Sequence, residues 1–164
     1  MNDQNQIIPA GERFVYVTYI RTTPQRLWQA LTERQFTEQF WYGLSVECDW
    51  QQGSTWRLLT PNGTAAHTGH VLEVNPPDKL VLAWRHEFIP RLKAEGHTRV
   101  SFEIKQLDEM VKLTVAQVSD QGAGDTIGIM ARGWPLLLAS LKTLMETGAS
   151  LKSSSYWPAD RRSA

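Results

Sequence analysis

The sequence lacks the features that place a chain in several specialised classes. Its only cysteine, Cys48, cannot form an internal disulfide, and no cysteine or histidine spacing typical of a structural zinc site is present. Lysine plus arginine and aspartate plus glutamate each total 17, so the formal net charge is zero and nothing favours nucleic acid as a partner. No apolar run approaches the roughly 20 residues of a membrane-spanning helix. We therefore expect a cytoplasmic protein without membrane insertion, metal or other cofactor.

Tryptophan, by contrast, is abundant, with seven residues in a chain of 164. An indole ring buries a large apolar area and carries one N–H group that needs a partner when it is buried. A cluster of tryptophans therefore indicates either a heavy core or the wall of a binding site.

The N-terminal part of the sequence predicts one strand followed by two short helices. Residues Arg13–Ile20 are dense in β-branched and aromatic side chains, which is typical of a strand. Thr23 and Pro24 then suit the cap and the first position of a helix. Apolar residues recur at helical spacing after them. The predicted helices are Pro24–Leu31 and Arg34–Phe40.

The central part predicts an antiparallel meander, because alternating apolar and polar segments are separated by turns such as Pro61-Asn62-Gly63. The segment Glu87–Gly96 is a longer connection, which we interpret as a solvated loop. Six strands are predicted here, at Leu44–Trp50, Thr55–Thr60, Ala66–Val74, Leu80–His86, Thr98–Gln106 and Val111–Val118.

After Gly122–Gly124 the apolar period becomes that of a helix, which we predict over Asp125–Glu146 with a stop at Gly148. At about 1.5 Å per residue this helix is roughly 33 Å long and can cross a whole sheet. Pro135 has no amide hydrogen and clashes with the carbonyl group of Ala131, so the helix should bend or break there.

These elements predict a single α+β domain over residues 13–148, with flexible tails at 1–12 and 149–164. In this domain a strongly curved antiparallel sheet of seven strands wraps around the long C-terminal helix. The C-terminal tail contains Tyr156-Trp157, an unusually aromatic pair for a disordered end. This pair leaves a homodimer open as a form of assembly.

Strand alternation, with charged residues taken as outward-facing, predicts which side chains meet the helix. With Glu73 in water, His70, Leu72 and Val74 face inward. In the strand Arg13–Ile20 neither face carries enough charge to show which face points inward. The other inward residues are Leu80, Leu82, Trp84 and His86, then Val100, Phe102 and Ile104, then Val111, Leu113 and Val115.

A curved sheet and a straight helix cannot touch along their whole length, so a pocket is expected between them, although large inward residues are more often core than ligand wall. The pocket is expected between Trp84 and Trp134, with two histidines as its polar groups. The predicted ligand-binding residues are His70, Leu82, Trp84, His86, Phe102, Met130, Trp134 and Leu138.

The candidate reactive groups are few. His67 and His70 are three apart on one strand and therefore lie on opposite faces, so they cannot share a metal ion. Cys48 is interpreted as a small core residue rather than a nucleophile. A catalytic reaction would have to use His70 or His86, but a buried histidine bonded to a neighbour is the commoner case. No catalytic residue is assigned.

Four stretches carry a family likeness. They are TPQRLWQALT at 23–32, Phe40-Trp41, GHVLEVNPPDKL at 69–80 followed by Leu82-Ala83-Trp84, and Gly133-Trp134 followed by Leu137 and Leu141. In these stretches the sequence resembles bacterial proteins related to the activator of the heat-shock chaperone ATPase. They belong to a superfamily that also contains steroidogenic lipid-transfer domains, pollen allergens and aromatic-polyketide cyclases.

The resemblance covers about residues 13–148 and implies the helix-grip fold, in which a curved sheet holds a long C-terminal helix over a hydrophobic cavity. This fold hosts several activities, so the resemblance alone implies none of them. Our hypothesis is the binding of a small hydrophobic or amphipathic ligand without covalent chemistry. The alternatives are a cyclase-like enzyme that polarises a carbonyl group with cavity histidines, and a chaperone partner that uses the outer sheet face or the 87–96 loop.

Overall fold

The computed structural model describes residues 13–120 and 124–151. The predicted N-terminal tail, most of the predicted C-terminal tail and most of the Gly122–Gly124 loop lie outside these residues. The predictions of flexible tails and of contact between copies through Tyr156-Trp157 fall there and stay predictions.

The described residues form seven strands and four helices. The strands are β1 (Arg13–Ile20), β2 (Ser45–Cys48), β3 (Thr55–Leu59), β4 (Ala65–Asn75), β5 (Lys79–His86), β6 (Thr98–Leu107) and β7 (Met110–Val118). The helices are α1 (Pro24–Thr32), α2 (Arg34–Phe40), α3 (Pro90–Ala94) and α4 (Thr126–Thr147). Every predicted element is present to within a residue or two at each end, whereas the short α3 lies in the segment that was interpreted as a loop.

The seven strands form one antiparallel sheet in the order β1-β7-β6-β5-β4-β3-β2. Strands β2 to β7 follow one another as a meander, and β1 returns to pair with β7. Phe14 and Ile20 of β1 are buried, which identifies the inward face of that strand. This sheet, followed by the long α4, confirms the predicted α+β helix-grip fold.

The ends of α1 and α4 follow from local sequence. The side-chain oxygen of Thr23 accepts a hydrogen bond from the backbone N–H of Arg26 at 3.3 Å, and Pro24 begins α1, as predicted. At the other end of the chain, Gly148 adopts the left-handed conformation with φ of 83° and donates its N–H to the carbonyl oxygen of Leu144. A side chain at this position would be strained, so glycine is the suitable stop.

Pro135 lies in the middle of α4 but does not interrupt it, since the helix is continuous from Thr126 to Thr147. The helix therefore does not break at Pro135, whereas the alternative expectation of a bend stays a prediction. A proline removes one hydrogen bond from a helix, but the neighbouring Trp134 and Leu138 expose only 2% and 1% of their surfaces. Tertiary packing of this face keeps the helix intact across the proline.

The predicted inward faces of β5, β6 and β7 are confirmed. Their residues are buried in the core that α4 also enters. They are Leu80, Leu82, Trp84 and His86 on β5, Val100, Phe102 and Ile104 on β6, and Val111, Leu113 and Val115 on β7.

The prediction that His70 and Leu72 face inward is wrong, because β4 contains a bulge. The register of β4 against β5 shifts between Val71 and Glu73. The extra residue reverses the alternation on the N-terminal side of the bulge. Val71 is buried while His70 and Leu72 are exposed, and His67 is the buried histidine of this strand.

Gly69, between His67 and His70, allows β4 and β5 to approach closely. A Cβ atom built on Gly69 would lie 1.7 Å from the carbonyl oxygen of Ala83. Any side chain at this position would therefore force the two strands apart at the point where Gly69 pairs with Trp84.

Candidate functional site

A pocket of about 440 Å³ lies beside α4, near His67 of β4 and His86 of β5. Its size falls within the roughly 300–1,000 Å³ of small-molecule sites. The lining is mostly apolar and comes from several parts of the chain. The lining residues are Trp41, Tyr42 and Leu44 after α2, His67 on β4, His86 on β5, Ile89, Arg91 on α3, and Ile129, Met130, Arg132, Gly133, Trp134 and Leu137 on α4.

The space between Trp84 and Trp134 is filled, so the predicted position of the cavity is wrong. The two rings meet edge to face with centroids 5.6 Å apart. Trp41 packs beside both, at 5.6 Å from Trp84 and 5.9 Å from Trp134. We call these three residues the indole cluster. They fill the gap that a curved sheet alone would leave under α4, and the pocket lies next to them.

The predicted ligand-binding residues fall into three groups. His86, Met130 and Trp134 line the pocket, and their binding role stays a prediction. His70 lies on the exposed outer face of the sheet, where its ring centroid is 6.0 Å from that of His97. The remaining residues are buried in the core beside the pocket, namely Leu82, Trp84, Phe102 and Leu138.

The most important residue that sequence reasoning missed is His67. It pairs directly with His86 across β4 and β5, and the two imidazole rings are perpendicular with centroids 4.7 Å apart. The signal that points to it is the bulge, since alternation counted from Val71 rather than from Glu73 places His67 inward. The pocket is therefore lined by two adjacent imidazoles, those of His67 and His86. The sequence analysis placed only His86 correctly.

Hydrogen bonds fix the tautomers of both histidines. Nδ1 of His67 accepts a bond from Nε1 of Trp84 at 2.9 Å. Nδ1 of His86 accepts from the backbone N–H of Phe88 at 3.2 Å. An imidazole nitrogen that accepts a hydrogen bond carries no proton, so Nε2 is the nitrogen through which each ring can donate.

Electrostatics support the neutral state of His67. Burial holds the pKa of His67 well below its ordinary value of 6.5, and the nearby His86 lowers it further. Glu87 acts in the opposite direction but does not outweigh these effects. At pH 7 the residue is a hydrogen-bond donor through Nε2 rather than a charged group.

A chain of buried hydrogen bonds connects the indole cluster to His67. Nε1 of Trp134 donates to Oε1 of Gln117 at 2.8 Å, and Nε2 of Gln117 donates to Oγ1 of Thr98 at 2.9 Å. The Thr98 hydroxyl donates to the carbonyl oxygen of Trp84 at 3.3 Å, and Trp84 donates to His67. Each of these polar groups is buried and has a partner, so the chain holds both tryptophans in one orientation.

Glu87, directly after β5, joins α3 to the sheet. Its carboxylate accepts hydrogen bonds from Oγ1 of Thr68 at 2.5 Å and Nε of Arg85 at 2.8 Å, and pairs with Nζ of Lys93 at 2.9 Å. Burial alone would raise the pKa of Glu87, but the bonds from Lys93, Thr68 and Arg85 lower it to about 2. The group is therefore ionised throughout the neutral range.

Glu95 caps α4 from the other side of the pocket. Its carboxylate accepts bonds from the backbone N–H groups of Asp125 and Thr126 at 2.8 and 3.0 Å, and from the Thr126 hydroxyl at 2.5 Å. A negative group is favourable at a helix N-terminus. Arg91 also pairs with Asp125. These contacts join the α3 segment, which carries Ile89 and Arg91, to the helix that forms the opposite wall.

Within residues 13–120 and 124–151, no three metal-ligating side chains come together. His67 is buried and His70 is exposed, so they lie on opposite faces of β4 as predicted. Cys48 is half-buried, and its sulfur accepts a bond from the backbone N–H of Trp50 at 3.2 Å and lies 3.4 Å from Oγ of Ser54. In the same described part, no helix is both long and apolar enough to cross a membrane.

Solved structures of low sequence identity share this fold. The Aha1 dimer from Colwellia psychrerythraea has a TM-score of 0.67 and 18% identity, over 83% of this chain and 97% of that one. CalU16 from Micromonospora echinospora has a TM-score of 0.63 and 19% identity, over 86% and 82%. An HSP90 activator from Plasmodium falciparum has a TM-score of 0.60 and 20% identity, over 76% and 88%. At such identities the likeness shows the fold alone.

The sequence itself gives a more specific result. Comparison with curated proteins yields no match. The family model described as activator of Hsp90 ATPase homolog 1-like protein, however, matches residues 21–146. Since this match spans every element from α1 to α4, the chain belongs to the family of activator of Hsp90 ATPase homolog 1-like proteins.

Proposed function

We propose that this protein binds a small amphipathic molecule in the pocket beside the indole cluster, without covalent chemistry. The observation that carries the proposal is the pocket of about 440 Å³, with mostly apolar walls and two imidazoles among its lining. Apolar walls with a few placed polar groups are the usual form of a small-molecule site.

The walls suit a flat or flexible apolar body. Trp41 and Trp134 provide large rigid faces, and the buried hydrogen bond from Trp134 to Gln117 keeps one of them in place. Met130 is flexible and polarisable, so it adapts to bodies of different shape. This part of the pocket supports aromatic rings as well as hydrocarbon chains.

The imidazole of His67 supports a polar group at the inner end of the ligand. Its Nδ1 is occupied by Trp84, so Nε2–H is the group with which it can meet a guest. A carbonyl or hydroxyl oxygen is the matching acceptor. A purely apolar body would leave this buried donor without a partner, which costs about 1–3 kcal/mol.

Gly133 offers a direct test, because a side chain there fills the pocket without displacing the core. The residue lines the pocket, and a Cβ atom built on it would meet no heavy atom within 4 Å. Gly133→Leu should therefore fold normally and lose binding. Gly133→Ala is the matched control, since it removes the cost of a helical glycine, about 1 kcal/mol, and takes up little volume.

Binding is measured by calorimetry and tryptophan fluorescence with a panel of fatty acids, flavonoids and steroids. We expect at least one class to bind the natural protein and the Gly133→Ala variant, but not the Gly133→Leu variant. If Gly133→Leu binds as well as the natural protein, the ligand does not occupy this pocket. If no member of the panel binds, the proposed function is wrong for these ligand classes.

The pair of imidazoles favours a second candidate function, in which a neutral histidine polarises a carbonyl group of an aromatic polyketone. His67 would act only as a donor, since Nδ1 is engaged and Nε2 carries the proton, so its role would be electrophilic rather than basic. The test is turnover of an aromatic polyketone by His67→Gln and His86→Gln variants. Turnover that is unchanged in both variants rules this candidate out.

A further inference from the structure

The charged side chains that line the pocket are both arginines. The charged lining residues are Arg91 on α3 and Arg132 on α4, both exposed, and no described carboxylate lines the pocket. We call the region between these two arginines the mouth of the pocket. Asp125 balances the charge of Arg91, so Arg132 is the lining cation that has no ion pair among the described residues.

The guanidinium group of Arg132 is available to a ligand. Among the described residues it makes no ion pair, and its Nε donates only a long bond of 3.4 Å to the carbonyl oxygen of Gly128. Arg91 pairs with Asp125, but these side chains are 58% and 65% exposed. Exposed pairs contribute little and exchange readily with solvent, so Arg91 adds a secondary attraction.

We infer that the ligand is an amphipathic carboxylate, with its apolar body against Trp41 and Trp134 and its carboxylate bound by Arg132 at the mouth. This inference rests on the proposed function and names the ligand class. The planar guanidinium fork matches the two oxygens of a carboxylate and can donate to both. At the mouth the carboxylate also keeps part of its hydration, which avoids the cost of burying a charge.

The opposite orientation, with the carboxylate inside, is unfavourable. The inner donor is neutral His67, whose environment opposes a positive charge. A carboxylate there would lose its hydration against the indole cluster without gaining an oppositely charged partner. The inner end of the ligand is therefore uncharged and the outer end is anionic.

Matched pairs of probes test the charge directly. Calorimetry on the full chain compares 1-naphthaleneacetate with 1-naphthaleneacetamide, and decanoate with decanamide, because the members of each pair share one apolar body. In at least one pair we expect the carboxylate to bind about two- to fivefold more tightly than the amide at low salt, as a charge-assisted bond at an exposed site should produce. The preference should shrink as ionic strength rises.

Variants assign the preference to one residue. Arg132→Gln should abolish the preference and leave the affinity for the amide unchanged. Arg26→Gln is the control, since Arg26 is an exposed arginine on α1 that does not line the pocket, and it should keep the full preference. Both substitutions are at exposed positions, so neither should prevent folding.

The outcomes separate this inference from the proposed function. If acid and amide bind equally in both pairs, or if Arg132→Gln keeps the preference, the inference is overturned and the proposed function stands. If neither member of either pair binds, the proposed function fails for these bodies and the inference fails with it. A preference that Arg132→Gln alone removes supports both.

Discussion

Trp84 and His67 share a buried hydrogen bond in which the indole Nε1 donates to Nδ1 of the imidazole at 2.9 Å. The bond exists because the bulge in β4 brings His67 to the inner face, one strand away from Trp84. The bond places the imidazole proton of His67 on Nε2. Trp84, a core residue, therefore sets which nitrogen of His67 can donate to a ligand in the pocket.

Histidine NMR should detect this tautomer. Long-range proton–nitrogen correlation at neutral pH is expected to show His67 as the neutral Nε2–H form, since burial and the nearby His86 hold its pKa well below its ordinary value of 6.5. Because the unfolded chain binds a proton at His67 near pH 6.5 and the folded chain does not, this residue lowers stability as the pH falls below that value. Titration of His67 near pH 6.5 would contradict the prediction.

Removing His67 should cost stability mainly through its partner. His67→Leu leaves the buried N–H of Trp84 unpaired, and we expect a loss of about 1–3 kcal/mol in the free energy of unfolding by urea. His70→Leu is the matched control and should change it by less than about 0.5 kcal/mol. In a double-mutant cycle, Trp84→Phe combined with His67→Leu should cost less than the sum of the two single changes. Additive losses would show that the bond has no energetic role.

Gln117 is expected to be a second sensitive polar position. Gln117→Met keeps the length of the side chain but leaves the N–H of Trp134 without a partner and removes the bond that Thr98 accepts, so we predict a loss of about 1–3 kcal/mol. The control is Gln25→Met on the exposed surface of α1, with little expected change. Urea unfolding measures both, and equal stability of the two variants would contradict the predicted role of the chain of hydrogen bonds.

Glu87 should make the protein sensitive to acid. Its folded pKa of about 2 lies below the value in an unfolded chain, so its contribution is complete above about pH 4.5 and is lost as the pH falls from there toward 2. The shift sets an upper limit of about 3 kcal/mol, which solvent screening of the half-exposed Arg85 and Lys93 reduces.

Unfolding by urea at pH 6 and pH 3 tests the role of Glu87. We expect Glu87→Gln to be less stable than the natural protein at pH 6 and nearly equal to it at pH 3. Glu103→Gln, at an exposed position without an ion pair among the described residues, should show a much smaller difference. A loss of the same size at both pH values would mean that the charge of Glu87 is unimportant.

Local signals in the sequence predict most of the fold. Thr23 with Pro24, and Gly148 after a long apolar stripe, mark helix ends with side-chain and backbone chemistry that depends on a few neighbouring residues. The missing element, α3, has only five residues, which is too short for a helical period to be visible, although Pro90 stands at its first turn.

The candidate site depends on relationships that local signals do not contain. One extra residue between Val71 and Glu73 exchanged the roles of His67 and His70, and nothing in their own neighbourhood announces a bulge. Likewise, the contact of Trp41 with Trp84 and Trp134 depends on how α2 and α4 lie across the sheet. Apolar pattern predicted that Trp84 and Trp134 face the interior, but it made no prediction for Trp41 and did not show that the three rings meet.

The carboxylate of Glu95 bonds to the start of α4 from a segment about thirty positions earlier in the chain, and thereby ties together two sides of the pocket. Separating those two sides would first break the hydrogen bonds of the Glu95 carboxylate to α4. On the proposed function, we expect Glu95 to control the rate constants for arrival and departure of a ligand that it does not contact. Removing that negative charge should accelerate both processes while their ratio, and hence the dissociation constant, stays nearly the same.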